Sequence, residues 1–111
     1  MTVTTPQPPP ATAVPFGDLD PVIHERVRLG ILSLLAAARG LPFNDVKGAL
    51  GLTDGNLSVH MRILERHGYV AVEKSFVLRR PRTVLSMTKA GRRAFEGYLK
   101  VLERVTQGGR R

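Results

Sequence analysis

Segment 52–70 constrains the fold of this chain more than any other stretch of the sequence. Thr53 is a good N-cap residue, and the apolar residues Leu57, Met61 and Leu64 follow it at helical spacing. This spacing places the three side chains on one face of a helix, and that face has to pack against the rest of the domain. The sequence therefore predicts an amphipathic helix with its opposite face left free.

The free face of this helix carries an amide, a hydroxyl, a small apolar group and guanidinium groups. These are the chemistries that read base edges and hold phosphates in the major groove of DNA. We therefore expect contacts to double-stranded DNA from Thr53, Gly55, Asn56, Ser58, Val59, His60, Arg62 and Arg66.

Three of these residues have simpler explanations that the sequence leaves open. Asn56 could help to cap its own helix. Gly55 destabilises a helix by about 0.5 to 1 kcal/mol relative to Ala, so it indicates either a close approach to phosphate or a turn variant. His60 lies at the edge of the buried stripe, where a surface or phosphate-facing histidine fits better than a metal ligand, and the sequence offers no partner for a pH response.

A helix-turn-helix pattern surrounds the start of this helix. Asn44 can cap a brief preceding helix, whose inward side chains are Val46, Ala49 and Leu50. Gly51 supplies the turn between the two helices, and Gly68 ends the second one. In such a motif the first helix supports the second, which is the recognition helix, across the DNA backbone.

A basic β-hairpin is predicted directly after the recognition helix. Val70, Val72 and Phe76 alternate with less apolar residues, as in a strand with one buried face, and segment 83–87 reads as the return strand. Cations cluster between the two strands, at Arg79, Arg80 and Arg82. A solvated charge run is one explanation, but the position beside a recognition helix favours contact with the DNA backbone or minor groove.

Two longer amphipathic helices are predicted at the ends of the domain. Asp20 and Pro21 suit the start of one that runs to about Ala38, and Thr88 can cap the other. Their apolar stripes are wider than one small core needs, which predicts a homodimer; the alternative is a helix buried on two sides of a monomer. The expected interface residues are Val27, Ile31, Leu34, Phe95, Tyr98, Leu99 and Leu102.

The length and charge of the chain fit one small domain with a polyanionic partner. Its 111 residues support one core, and 17 Lys and Arg against 9 Asp and Glu give a formal net charge of +8. We divide the chain into a flexible Pro-rich arm at residues 1–17, a folded domain at 18–107 and a disordered basic end at 108–111. A partner-docking role for the proline run is the alternative for the arm.

Several function classes lack support in the sequence. Because the chain has no cysteine, disulfides, thiol redox sensing and thiolate metal sites are excluded. The sequence also lacks a membrane-length apolar run, a signal peptide, a Gly-rich phosphate loop and a nucleophile elbow. We predict a soluble, cytoplasmic protein without cofactor, metal or catalytic residues. The remaining alternative to DNA binding is that the same helix-turn-helix and hairpin serve as a protein-interaction domain. The arginines on the recognition helix and the hairpin argue against this alternative.

Together these patterns resemble the winged helix-turn-helix transcriptional regulators of the MarR/ArsR-like group, in particular the short winged helix DNA-binding domain family. The resemblance implies a mainly α fold with a small β-hairpin (α+β), in which helices flank a two- or three-stranded wing. It also implies a homodimer on a pseudo-palindromic operator. Because the chain leaves little room for a dedicated effector domain, a ligand, where one is sensed, would have to lie in the dimer seam. The cysteines of the metal-sensing members are missing. The matching segments are Arg28 to Leu32, Phe43 to Val46, Leu52 to Met61, Leu64 to Glu65, Gly68 to Val70, Pro81 to Thr83 and Met87 to Arg92.

Overall fold

A computed structural model describes residues 14–107, which form four α-helices and a three-stranded antiparallel sheet. This confirms the predicted α+β winged helix fold. The proposed arm lies mostly, and the proposed basic end wholly, outside the described residues. The elements in chain order are a 3-10 helix (Phe16–Asp18), α1 (Arg26–Ala36), β1 (Leu41–Pro42), α2 (Phe43–Leu50), α3 (Asp54–Arg66), β2 (Val70–Val77), β3 (Arg80–Met87) and α4 (Lys89–Thr106).

The sheet anchors one end of a long hairpin to the helices. Strand β3 lies in the middle, between β1 and β2, and pairs antiparallel with both. The short β1 pairs only with the inner part of β3, where Leu41 lies opposite Leu85. Beyond that point the β2–β3 hairpin, which we call the wing, continues without a third strand as far as the pair of Val77 and Arg80.

The recognition helix forms as the sequence predicts. The Thr53 side chain accepts a hydrogen bond from the Asn56 backbone N–H at 3.1 Å, which caps α3. Leu57 and Leu64 are fully buried and Met61 nearly so, which confirms the predicted stripe. A left-handed glycine lies on each side of the helix, Gly51 before it and Gly68 after it.

The core lies between α1, α3 and the sheet, and it uses more of the long helices than the sequence indicated. Four residues expected at a dimer interface are instead buried inside the single chain: Val27, Ile31, Phe95 and Tyr98. Val27 and Ile31 of α1 and Phe95 and Tyr98 of α4 all belong to this one core. Leu34 and Leu102 are half-buried, and Leu99 is 44% exposed.

Two helix starts differ from the expected positions. Asp20 caps a separate turn, in which its carboxylate accepts from the Val22 N–H at 2.8 Å. Helix α1 begins only at Arg26, because Glu25 provides a second cap by accepting from the Arg28 N–H at 2.9 Å. Helix α2 begins at Phe43, so Asn44 lies within its first turn and does not cap it.

The outer half of the wing also differs from expectation. A two-residue turn at Leu78 and Arg79, both with positive φ, lets the return strand begin at Arg80. Arg80 and Arg82 therefore lie on β3, and Arg79 lies in the turn. Phe76 was expected to be buried, but it is 76% exposed because the wing extends beyond the helices that cover its inner end.

Helix α4 starts directly on the backbone that follows α3. The Tyr69 carbonyl accepts a hydrogen bond from the Thr88 N–H at 3.1 Å, and the Thr88 hydroxyl donates to the Gly68 carbonyl at 2.6 Å. Gly91 is buried one turn into α4, where an added Cβ would overlap the carbonyl oxygen of Tyr69. The close approach of α4 to this backbone therefore requires glycine.

We predict that Gly91→Ala destabilises the domain by about 3 kcal/mol, because α4 would have to move off the Tyr69 backbone. Gly97→Ala is the matched control, since a Cβ at Gly97 on the same helix meets open space. That control should stabilise the domain by about 0.5 to 1 kcal/mol. Urea denaturation of the three proteins measures both effects, and equal midpoints for Gly91→Ala and wild type would show that α4 does not pack this closely.

Candidate nucleic-acid interface

The exposed face of α3 carries most of the residues that the sequence selected. Gly55, Val59, Arg62 and Arg66 follow one another at helical spacing, and all four are exposed. The Asn56 side chain is also exposed, whereas its backbone N–H is bonded to Thr53. Thr53 therefore caps the helix, and the amide of Asn56 remains free to contact another molecule.

An open groove of about 870 Å³ runs between α3 and the wing. Among its lining residues are Ser58 and Arg62 from the helix, and Arg80 and Arg82 from β3. The fold therefore brings together residues that are about twenty positions apart in sequence. Asn56, Val59 and Arg66 lie on the outer face of α3, and Arg79 lies at the wing turn, outside this lining.

The groove is positively charged. Lys74 of β2 joins Arg62, Arg80 and Arg82 in its lining. Asp54 also lines the groove, but its carboxylate is paired with Lys47 of α2 at 2.8 Å. Because cations lie on both walls, the groove is suited to a polyanion that fits between a helix and a hairpin.

Sequence reasoning missed Lys74, the Lys47–Asp54 pair and Leu78. Lys74 could have been found from the two-residue alternation of β2, which places it on the same face as Val72. The pairing of Lys47 with Asp54 depends on the angle between α2 and α3, which no local pattern encodes. Leu78 lacked a signal because its turn uses residues that are uncommon there.

His60 does not face the groove. Its Nδ1 lies 3.1 Å from an Arg28 guanidinium nitrogen and 3.5 Å from the Glu25 carboxylate, and its side chain is 18% exposed. The Arg28 Nε donates to the Val22 carbonyl at 2.6 Å, which holds the guanidinium in place. In this position His60 joins α3 to the start of α1, and the structure gives no support to the expected contact of His60 with DNA.

The carboxylate in this cluster is held in its charged form. Burial alone would raise the pKa of Glu25, but hydrogen bonds from the backbone N–H groups of Arg28 and Val27 oppose it. The nearby charges of His60 and Arg28 act in the same direction, and the net effect lowers the pKa of Glu25.

A second polar contact fixes the chain just after the recognition helix. The Tyr69 hydroxyl donates to the Asp20 carboxylate at 2.7 Å. This hydrogen bond, together with burial and the carboxylate charge, raises the pKa of Tyr69 to about 12. The middle of α3, through His60, and the chain just after α3, through Tyr69, are therefore both connected to the segment around α1 by side-chain contacts.

Metal-binding clusters and membrane-spanning helices are both absent from the described residues. Within 14–107, no group of three or more His, Cys, Asp or Glu is placed to hold a metal ion. The helices of this part of the chain are also too short or too polar to cross a membrane.

Comparisons with known proteins point to one family. A family model described as a winged helix DNA-binding domain matches residues 27–106. An uncharacterized protein of Methanocaldococcus jannaschii is 40% identical over 78 residues, which cover 70% of this chain and 85% of that protein.

Solved structures agree with the family match. A transcriptional regulator homologue from Pyrococcus horikoshii OT3 is similar with a TM-score of 0.73 at 39% identity, over 78% of this chain and 86% of its own. The structure of MarR matches with a TM-score of 0.68 at 22% identity, over 78% of this chain and 62% of MarR, and it supports the fold alone.

The inward position of His60 leads to a prediction that separates it from the groove residues. His60→Ala should destabilise the domain by about 1 to 2 kcal/mol, because Glu25 and Arg28 lose their partner on α3. His67→Ala is the control, since His67 is an exposed histidine near the end of the same helix, and it should stay within about 0.5 kcal/mol of wild type. Urea denaturation measures both; a His60→Ala variant as stable as wild type would show that the cluster does not hold α1 to α3.

Proposed function

Since the chain belongs to the family of winged helix DNA-binding domains, we propose that it is a sequence-specific regulator that binds a pseudo-palindromic operator as a homodimer. Its fold is similar to that of MarR, and a transcriptional regulator homologue at 39% identity supports the regulatory role. The observation that carries the proposal is the groove between α3 and the wing. Its helix wall carries the Arg62 guanidinium, and its wing wall carries the ammonium of Lys74 and the guanidinium groups of Arg80 and Arg82.

In the proposed complex α3 lies in the major groove. Asn56 is the best candidate for a base reader, because an exposed amide can make a bidentate pair with adenine. Ser58 contacts a base edge or a phosphate, and Val59, which is 57% exposed, contacts a thymine methyl group. Arg62 and Arg66 bind guanine or phosphate, and Gly55 lets the backbone approach the DNA closely.

The wing binds the flanking backbone or minor groove. Arg80 and Arg82 lie on the groove side of β3, where the DNA backbone would pass, and Arg79 lies at the turn beyond them. Lys74 is added to the residues that the sequence selected. Contacts of this kind position the protein without reading sequence, so they contribute to affinity for every duplex.

The homodimer would form through the surface of α4. The apolar residues that the single-chain core leaves partly uncovered there include Leu99 and Leu102, and Leu34 of α1 is half-buried. Phe16 is 67% exposed in the 3-10 helix, an element that contacts α4. For two copies of α3 to enter successive major grooves, this dimer has to hold them about 34 to 36 Å apart, which is one turn of DNA.

The proposal assigns no catalytic residue and no cofactor, in keeping with a regulator that acts by occupying DNA. A bacterial or archaeal type of regulator acts where the chromosome lies, so we place the function in the cytoplasm. The folded domain that we propose comprises residues 18–107, and the 3-10 helix at Phe16–Asp18 adds the residues just before it.

The proposed reading role of Asn56 predicts a loss of specificity without a loss of stability. The operator sequence is first identified by selecting, from a library of random duplexes, those that the wild-type protein binds. Asn56→Ala should then weaken binding to this operator by about 1 to 3 kcal/mol per half-site, with little change on random duplex. The buried stripe of α3 is unchanged, so the thermal midpoint should match wild type.

Glu65→Ala is the matched control, because Glu65 is exposed on the same helix but lies far from its N-terminus. Its ratio of operator to random affinity should equal that of wild type. An unchanged ratio for Asn56→Ala would move base reading to Ser58 and Arg62. Wild-type protein that retains no duplex in the selection would contradict DNA binding and favour a protein-interaction role for the fold.

The proposed dimer predicts that charge on α4 disrupts assembly. The double substitution Leu99→Glu and Leu102→Glu should give a monomer, because two carboxylates per chain would face an apolar seam. Lys100→Glu is the matched control, because it introduces a carboxylate between these two positions at an exposed residue. It should leave the mass of the assembly in solution unchanged. Light scattering reports the mass of each protein, and a monomeric wild type at tens of micromolar would contradict the dimer.

A further inference from the structure

The end of the wing is apolar as well as basic. Phe76, Val77 and Leu78, which we call the apolar tip, are 76%, 48% and 91% exposed. Pro81 lies opposite Phe76 in the hairpin register and is exposed too. Three consecutive large apolar side chains at the most distant point of a hairpin do not contribute to the core of the chain.

The backbone at the tip does not explain these residues either. Leu78 and Arg79 have φ values of 51° and 66°, in the left-handed region that side chains with a Cβ disfavour by about 1 to 2 kcal/mol each. Two-residue hairpin turns of this kind favour Asn-Gly or Asp-Gly. A leucine there is neither buried nor suited to its conformation, and such positions occur where a side chain has a role in binding.

The surroundings of the tip indicate which partner it contacts. Val77 and Leu78 line the same groove as Ser58 and Arg62 of the recognition helix. The adjacent cations are Arg79, Arg80 and Arg82. A second copy of the chain would bring like charges together at this point, whereas a nucleic acid duplex offers phosphates to the arginines and stacked bases to the apolar groups.

We infer that Leu78, supported by Phe76, is an apolar wedge that enters the minor groove of the duplex held by α3 and partly unstacks a base step. This inference rests on the proposed DNA binding. Leucine and phenylalanine are among the side chains that proteins insert between base steps from the minor groove, and flanking arginines are attracted to its negative potential. The wing turn presents both kinds of group together, beside the groove that the wing shares with α3.

The test uses a substitution that removes the wedge and suits the backbone. Leu78→Asn replaces the apolar group with a residue that tolerates positive φ, so the variant should unfold at or above the wild-type midpoint. On the duplex selected by wild type, its affinity should fall about tenfold, because apolar contact inside the groove is lost. The slope of log K against log salt should not change, because no charge is altered.

Base unstacking gives a direct readout. The fluorescence of 2-aminopurine, an adenine analogue, rises when it leaves the stack, and the analogue is placed at each adenine of the selected duplex in turn. Wild-type protein should raise the signal at positions that flank the segment contacted by α3. Leu78→Asn should give no such rise, even at a protein concentration that saturates the duplex. Phe76→Thr, which keeps a residue suited to a strand, should reduce the signal in part.

Arg79→Asn is the matched control at the neighbouring left-handed position. It should make the salt slope less steep by about 0.9, the value for one phosphate contact, and leave the fluorescence rise intact at saturation. If Leu78→Asn bound the duplex with wild-type affinity and gave the wild-type fluorescence rise, the wedge would be overturned. It would also be overturned if Leu78→Asn changed the oligomeric state of the protein in the absence of DNA, or if wild type bound phosphatidylserine vesicles and Leu78→Asn did not. If the wild-type protein bound the duplex without any fluorescence rise, only the wedge would be overturned. If the wild-type protein bound no duplex at all, the proposed function would be overturned.

Discussion

Burial of the apolar stripe of α3 determines which surface the domain presents. Leu57 and Leu64 are fully buried against a core that includes α1, so the helix cannot rotate about its axis without exposing them. The same constraint fixes the opposite face, where the Asn56 amide and the Arg62 guanidinium face solvent. The orientation of the polar residues is therefore a consequence of apolar packing and does not depend on contacts among the polar residues themselves.

Polar contacts then fix the position of this helix relative to its neighbours. The cluster of Glu25, Arg28 and His60 joins the middle of α3 to the start of α1, and the Tyr69–Asp20 hydrogen bond joins the chain after α3 to the turn before α1. These groups are partly buried, where an unpaired member would be unfavourable, so each contact favours one arrangement over a slipped one. Packing alone would tolerate small shifts that these contacts oppose.

Local signals made most of the fold predictable. The cap at Thr53, the glycine turns and the apolar spacing of α3 act within a few residues, and the structure agrees with each. The start of α1 was misplaced because Asp20 and Glu25 are both good caps, and only the turn between them decides which one begins the helix.

The features that sequence reasoning missed depend on contacts between distant residues. His60 meets Arg28 only after the chain folds back on itself, and the burial of Phe95 and Tyr98 requires α4 to reach the core. The positions of the expected contact residues were predicted well on α3, whose exposed face carries most of them. They were predicted less well on the wing, where a turn with unfavoured residues sets the register of the whole hairpin.

The contact between α4 and the backbone after α3 links the two surfaces that a dimeric regulator would need. Gly91 lies against the Tyr69 carbonyl, so no side chain separates the start of α4 from the end of the recognition helix segment. A contact between backbones has few ways to adjust, because it lacks rotatable side chains. In the homodimer that we propose, α4 would form the seam and α3 would enter the DNA. The spacing between the two recognition helices would then follow from how α4 packs across the two-fold axis, since the angle between α4 and α3 within each chain is held by this contact.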